Sequence, residues 1–141
     1  MKFSLIGMNG CGKSTIAEHL TAVYHTSLIS AGYYIRNADR YPWVSKHLPD
    51  GYDVYSGELL PNENLVAIFA EAVGYFGKQG FIFDGSPRRI GQARTFIESP
   101  RLCPSHFIYI NTTSEIISER LSHRRYHSGT VPVYLLRNSH A

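Results

Sequence analysis

Lys2 to Ile6 is a short apolar run that stops at Gly7, and a glycine-rich stretch from Met8 to Gly12 follows it. Beyond that stretch Ile16, Ala17, Leu20, Val23 and Tyr24 recur at helical spacing, so the chain reads as strand, loop, helix. Thr26 to Ile29 is a brief second strand, and Ser30 is placed to cap a helix running to about Asp39. Pro42, Pro49 and Gly51 then punctuate the chain. Pro61 suits a first helical position, and Leu65, Ile68, Phe69, Ala72 and Phe76 form one apolar stripe of a helix that ends near Gly77 or Gly80. Phe81 to Phe83 and Phe107 to Ile110 are uninterrupted apolar runs, the pattern of buried strands, and Ile90 to Ile97 between them reads as a helix. Thr112 and Glu115 have capping-box spacing ahead of Ile116, Ile117 and Leu121, which predicts a last helix with Arg120 and Arg124 on one face.

Strands alternating with helices predict an α/β fold: a mostly parallel sheet with right-handed crossovers and helices on both faces. Ligands of such sheets bind outside the carboxyl ends of the strands, where Gly7 and Asp84 both fall. At 141 residues the chain is the size of one domain, residues 1 to 141. Ordinary hydrophobic and charged fractions, 43% and 18%, exclude a disordered, collagenous or coiled-coil chain. Glu71 breaks the longest apolar segment well short of the roughly eighteen residues that span a bilayer, so no membrane partner is expected. Cys11 and Cys103 lack metal-ligand spacing, and the absence of a disulfide framework suits a reducing, cytoplasmic setting. The net charge of +3 arises in the tail, where residues 120 to 141 hold four arginines and no acid. A solvated helix end and a site for a polyanion both account for that cluster, and nucleic acid is not the partner expected.

Gly7-Met8-Asn9-Gly10-Cys11-Gly12-Lys13-Ser14 satisfies G-x-x-x-x-G-K-[ST], and it lies after a strand and opens a helix, as the phosphate-binding P-loop must. Glycines let backbone N–H groups from Gly10 to Thr15 wrap a phosphate, and the helix N-terminus adds positive potential. Lys13 reaches the outer phosphates and Ser14 offers a hydroxyl to Mg²⁺. Cys11 is either a small loop residue or a thiol made reactive by the helix N-terminus. Phe81 to Asp84 is the pattern of a strand that delivers one carboxylate to the metal, although a strand ending in Asp-Gly is also an ordinary turn.

The segment after this strand is more specific. Asp84-Gly85-Ser86-Pro87-Arg88, with Gln92 four residues on, resembles the D-G-x-P-R segment and downstream glutamine of the adenylate kinase family of nucleoside monophosphate kinases. Ile29-Ser30-Ala31-Gly32-Tyr33-Tyr34-Ile35-Arg36 is similar to that family's S-T-G-D-x-x-R helix. Gly57 to Glu63 resembles its G-x-x-V-P-D-E segment, and Arg120 to Arg125 its R-x-x-x-R-R approach to the lid. With the P-loop, the matches cover about residues 1 to 130. The resemblance implies a three-layer P-loop fold with sheet order 2-3-1-4, an acceptor-binding insertion over residues 30 to 65 and a partial lid over 125 to 141. It implies transfer of the γ-phosphoryl of Mg·ATP to a nucleoside monophosphate, AMP ahead of CMP or UMP, with Mg²⁺ as cofactor. ATP would lie on Gly10, Cys11, Gly12, Lys13, Ser14, Thr15, Arg120 and Arg124, with Mg²⁺ on Ser14 and Asp84, directly or through water. Arg36 and Arg88 would hold the acceptor phosphate beside Ala31 and Gly85, Gln92 would read the acceptor base, and Lys13, Arg88 and Arg124 would serve catalysis. Arginine-rich sites suit this chemistry, which needs positioning and charge neutralisation more than a covalent nucleophile.

The chain also departs from the family. Tyr33 stands where Asp is usual, which leaves magnesium to Asp84 and Ser14; Ala31 replaces Thr, Ser86 replaces an aromatic residue, and Asn62 replaces Asp. Family members continue roughly fifty residues further, through a fifth strand and a closing helix. The expectation is therefore of a monomer if complete, and of a chain with an exposed edge strand, prone to associate, if truncated. Two alternatives stand beside the kinase: a nucleotide-binding remnant with little or no turnover, and a P-loop kinase with a different small-molecule acceptor.

Overall fold

Four short strands form the centre of the molecule: β1 (Lys2–Ile6), β2 (Ser27–Ile29), β3 (Phe81–Asp84) and β4 (His106–Tyr109). The computed structural model describes residues 1–56 and 58–123, and in it these strands pair as one parallel sheet in the order β2-β3-β1-β4. The order is the expected 2-3-1-4. Around the sheet lie α1 (Lys13–Tyr24), α2 (Ala31–Arg36), α3 (Pro42–Ser45), α4 (Asn62–Phe76), α5 (Ile90–Glu98) and α6 (Ser114–His123), with a 3-10 turn at Ala38–Arg40. The expected lid over 125 to 141, Arg124, and Gly57 of the acceptor motif lie outside the described residues.

β3, inside the sheet, is buried along its apolar run, whereas β4, expected as a buried strand over Phe107 to Ile110, lies at an edge of the sheet and leaves Phe107 43% and Tyr109 66% exposed. Phe81 and Phe83, two residues apart, share one face and stack with ring centroids 4.3 Å apart. Phe83 also meets Phe69 of α4 at 4.7 Å and Phe96 of α5 at 5.1 Å, so three phenylalanines from three elements form the centre of the core. All three are fully buried, along with Leu5, Ile29, Ile68 and Ile82. Burying a side chain of this kind stabilises the fold by about 1.5–3 kcal/mol. The apolar stripe read on α4 is the buried one: Ile68, Phe69 and Ala72 face the core, with Leu65 and Phe76 packed at its margin.

Local chemistry sets several element ends away from their expected places. α2 stops at Arg36, short of the expected Asp39, because Asn37 turns back on the helix: its backbone N–H reaches Tyr33 O and Tyr34 O, and its Nδ2 donates to Tyr33 O at 2.9 Å. Ser30 holds the expected cap position in extended geometry, but its side chain makes no capping bond. Pro61 lies one residue before α4 and not within it. At α6 the capping threonine is Thr113 and not Thr112: its Oγ1 accepts the Ile116 N–H at 3.3 Å, because the helix begins at Ser114 and the third helical residue is then Ile116.

An aromatic cluster joins the segment after β2 to α4. Tyr34 packs on Tyr41, Trp43 and Phe76 with centroids 5.1 to 6.1 Å apart, and the Tyr33 hydroxyl lies 3.2 Å from that of Tyr41. Burial, then the hydrogen bond with Tyr33, pushes the Tyr41 phenol up to about 12. Tyr33, at the family's aspartate position, is thus committed to packing.

Candidate active site

The parallel register brings Leu5 opposite Asp84 and Ile29 opposite Phe83, so the turns after β1 and β3 emerge side by side. The chain runs from β1 outward to β2, returns to β3 and crosses to β4 on the other flank. The crevice where it reverses lies above β1 and β3, the position such sheets use for ligands.

The loop after β1 is shaped by its glycines. Gly12, with φ 100, takes the left-handed conformation immediately before Lys13 opens α1, and a β-carbon there would lie 3.5 Å from the Arg120 guanidinium. Lys13 is buried, 8% exposed, and its ammonium donates to Gly7 O and Met8 O, both at 2.7 Å. Those carbonyls satisfy a charge that would be costly to bury alone. Cys11 is buried too, and its Sγ lies 3.7 Å from Lys13 Nζ, so its thiol faces the inside of the loop. Thr15 lies on an exposed face of α1.

Ser14, one residue into α1, donates its hydroxyl to Asp84 Oδ2 at 3.2 Å. This joins the loop after β1 to the end of β3 and sets two hard oxygen donors side by side. A hydroxyl and a carboxylate suit Mg²⁺, which commonly takes one or two protein oxygens and fills its shell with water and phosphate oxygens. Among the described residues no cluster of three or more His, Cys, Asp or Glu is built to cage a metal. The donor set therefore fits a magnesium ion that arrives with a phosphate.

Past Asp84 the chain turns through Gly85, whose φ of 73 is open to glycine at little cost. A β-carbon at Gly85 would lie 3.4 Å from Arg88 Nη2 and 3.5 Å from Lys13 Cε. Two basic side chains from separate elements therefore approach this one glycine. Arg88 is fixed by its Nε, which donates to Gly85 O at 2.8 Å. The following Ser86-Pro87 bond is cis, and Ser86 O accepts a hydrogen bond from the buried hydroxyl of Ser4 on β1. Gln92, on the first turn of α5, is buried at 3% exposure; its Oε1 accepts the Arg88 backbone N–H at 2.8 Å and its Nε2 donates to Asn62 Oδ1 at 3.4 Å.

The remaining expected site residues divide. Ala31 is buried at the start of α2. Arg36 lies at the other end of α2, and its Nη1 folds to within 3.2 Å of where a Gly32 β-carbon would stand. The contacts that gather Lys13, Ser14, Asp84, Gly85, Arg88 and Gln92 do not include it. Arg120 reaches the P-loop from α6, its Nη1 donating to Gly10 O at 3.3 Å. Asn62 stands out in the sequence only as a departure from a motif, and its reach to Gln92 has no signature in residue spacing.

Residues 6–131 match the family described as AAA domain. An adenylate kinase of Giardia intestinalis is 30% identical over 126 residues, which is 89% of this chain and 50% of that relative. An adenylate kinase of Synechococcus is 33% identical over 131 residues, 88% of this chain and 65% of that relative. The chain thus spans half to two thirds of the length of these curated relatives. A P-loop that opens α1, a β3 carboxylate joined to it, the 2-3-1-4 parallel sheet and these matches place the chain in the adenylate kinase-like family of P-loop proteins.

Proposed function

We propose that the protein is a nucleoside monophosphate kinase that moves the γ-phosphoryl of Mg·ATP to a nucleoside monophosphate, AMP ahead of CMP or UMP, in the cytoplasm. The observation that carries this reading is the convergence of Lys13 and Arg88 on Gly85, from the P-loop on one side and from the turn after β3 on the other. A kinase must neutralise charge on both the donor and the acceptor side of one transferring group, and a P-loop lysine whose Cε passes beside the same glycine that Arg88 approaches supports that arrangement. The relatives named adenylate kinase support the same donor and acceptor classes.

In this reading the backbone from Gly10 to Thr15 cradles the donor phosphates at the N-terminus of α1, and Lys13 exchanges its bonds to Gly7 O and Met8 O for phosphate oxygens. Magnesium, when bound at Ser14 and Asp84, screens phosphate charge. Arg120, already at Gly10, flanks the donor nucleotide. Arg88 holds the acceptor phosphate with Arg36, the segment from 30 to 65 forms the acceptor wall with Ala31 and Gly85, and Gln92 reads the base. Arg124 joins the transferring phosphoryl. Lys13→Ala tests the donor half: it should abolish most of the thermal stabilisation by Mg·ADP, a loss of about ten- to a hundredfold in affinity for one charged hydrogen-bonding partner. Equal stabilisation of wild type and variant would refute the assignment.

A further inference from the structure

α5 buries the wrong residue for a helix that serves only to pack. Ile90 and Ile97 are exposed, at 75% and 58%, while the polar Gln92 is buried at 3% beside Phe96. Burying a carboxamide costs free energy unless its hydrogen bonds are made. Here they are made from two directions. Arg88 N–H donates to Oε1, which identifies that atom as the acceptor end; the other end must then be the amine, and it points to Asn62 Oδ1 at the start of α4. Asn62 is itself closely approached, its Nδ2 lying 2.6 Å from where a Gly91 β-carbon would stand, so a side chain at 91 would displace it.

We propose that Asn62 is a positioning residue for acceptor specificity: it locks the Gln92 carboxamide in one orientation and thereby selects bases that present an amino donor beside a ring-nitrogen acceptor. The proposal rests on the assignment of Gln92 to the acceptor base. A free carboxamide can rotate by half a turn and so accept either of two complementary edges. Adenine and cytosine present an amino donor beside a ring-nitrogen acceptor; guanine and uracil present an oxo acceptor beside a ring N–H donor, the reverse pair. With Oε1 tied to Arg88 and Nε2 tied to Asn62, one lone pair and one N–H remain, in fixed places, and half a turn would set two N–H donors against each other and two acceptor oxygens against each other. The lock therefore admits AMP and CMP and rejects UMP and GMP. Sites built to hydrogen-bond a substrate discriminate strongly against a ligand that leaves their buried polar groups unpaired.

The test measures the affinities of AMP, CMP, UMP and GMP for the full chain by calorimetry, in wild type and in Asn62→Leu, Asn62→Ala and Asn62→Asp. Wild type should favour AMP and CMP. Asn62→Leu and Asn62→Ala should lower the ratio of AMP to UMP affinity by about five- to tenfold, the worth of one net hydrogen bond. Asn62→Asp, which keeps the acceptor oxygen, should hold that ratio within about twofold of wild type. Mg·ADP affinity, measured on the same samples, should be unchanged and shows that each variant is folded. A wild type that discriminates, with a ratio untouched in both the alanine and the leucine variants, overturns the role of Asn62. A wild type that prefers UMP and GMP overturns the selection for an amino donor beside a ring-nitrogen acceptor. A wild type that binds Mg·ADP and none of the four monophosphates overturns the acceptor-site reading itself, and that result is visible before any variant is made.

Discussion

Ser14 and Asp84 are 70 residues apart in sequence and meet through a hydrogen bond of 3.2 Å, the hydroxyl donating to the carboxylate. The bond exists because parallel pairing sets Leu5 against Asp84, which places the end of β3 beside the loop after β1. Two oxygen donors, one at the start of α1 and one at the end of β3, suit a hard cation that keeps water and phosphate oxygens in the rest of its shell.

Asp84→Asn keeps this shape and removes the charge. It should lower the affinity for Mg·ADP by about tenfold or more while leaving the affinity for metal-free ADP nearly unchanged, since a hydrogen bond or ligand contact to a charged group is worth more than one to a neutral group. Titrations with and without magnesium check it, and an equal loss in both would assign Asp84 a structural role.

Arg88→Ala should act on the acceptor side alone. Loss of one preorganised charged donor commonly costs about a hundredfold in rate, so kcat/KM for the acceptor should fall by that order while Mg·ADP affinity stays within about twofold. Arg88→Lys should recover little, because an ammonium cannot reproduce the planar fork. Steady-state kinetics with varied acceptor, alongside calorimetry, separates the two halves.

Glu71 predicts a pH dependence of stability. Its Oε1 accepts Lys46 Nζ at 2.5 Å and lies 2.7 Å from His47 Nε2, which ties the end of α3 to α4. The hydrogen bond from Lys46, then that from His47, holds its carboxyl below the ordinary glutamate value. A carboxyl depressed in the folded state stabilises it above the unfolded value of about 4.3 and loses that contribution as pH falls through the folded value. Chemical denaturation at a series of acidic pH values should show Glu71→Gln nearly as stable as wild type at the lowest pH and less stable at neutrality. Parallel curves at every pH would contradict this.

β3 and α4 were legible because their burial is simple: Phe81 to Phe83 is apolar throughout and buried, and α4 buries the stripe its 3.6-residue period marks out, whereas the apolar run of β4 is largely exposed because it lies at an edge of the sheet. The P-loop was legible because its glycines and Lys13 act through backbone geometry that is local in sequence. Three features were not. Asn37 ended α2 through a side chain folding back on a carbonyl, which helical periodicity does not register. Of two adjacent threonines, only the start of α6 decided that Thr113 was the cap. The burial of Gln92 in preference to Ile90 and Ile97 depends on Asn62, 30 residues away, and so on tertiary contact.

Phosphoryl transfer between two nucleotides is tested most directly by following the γ-phosphate itself. The protein is incubated with magnesium and ATP labelled at the γ-position, together with AMP, CMP, UMP or GMP in turn, and the products are separated by chromatography. The label should pass into a nucleoside diphosphate, fastest with AMP, and Lys13→Ala and Arg88→Ala should each slow the transfer by about a hundredfold or more. Label that stays in ATP, or appears only as inorganic phosphate at a rate indifferent to the monophosphate, would contradict the account.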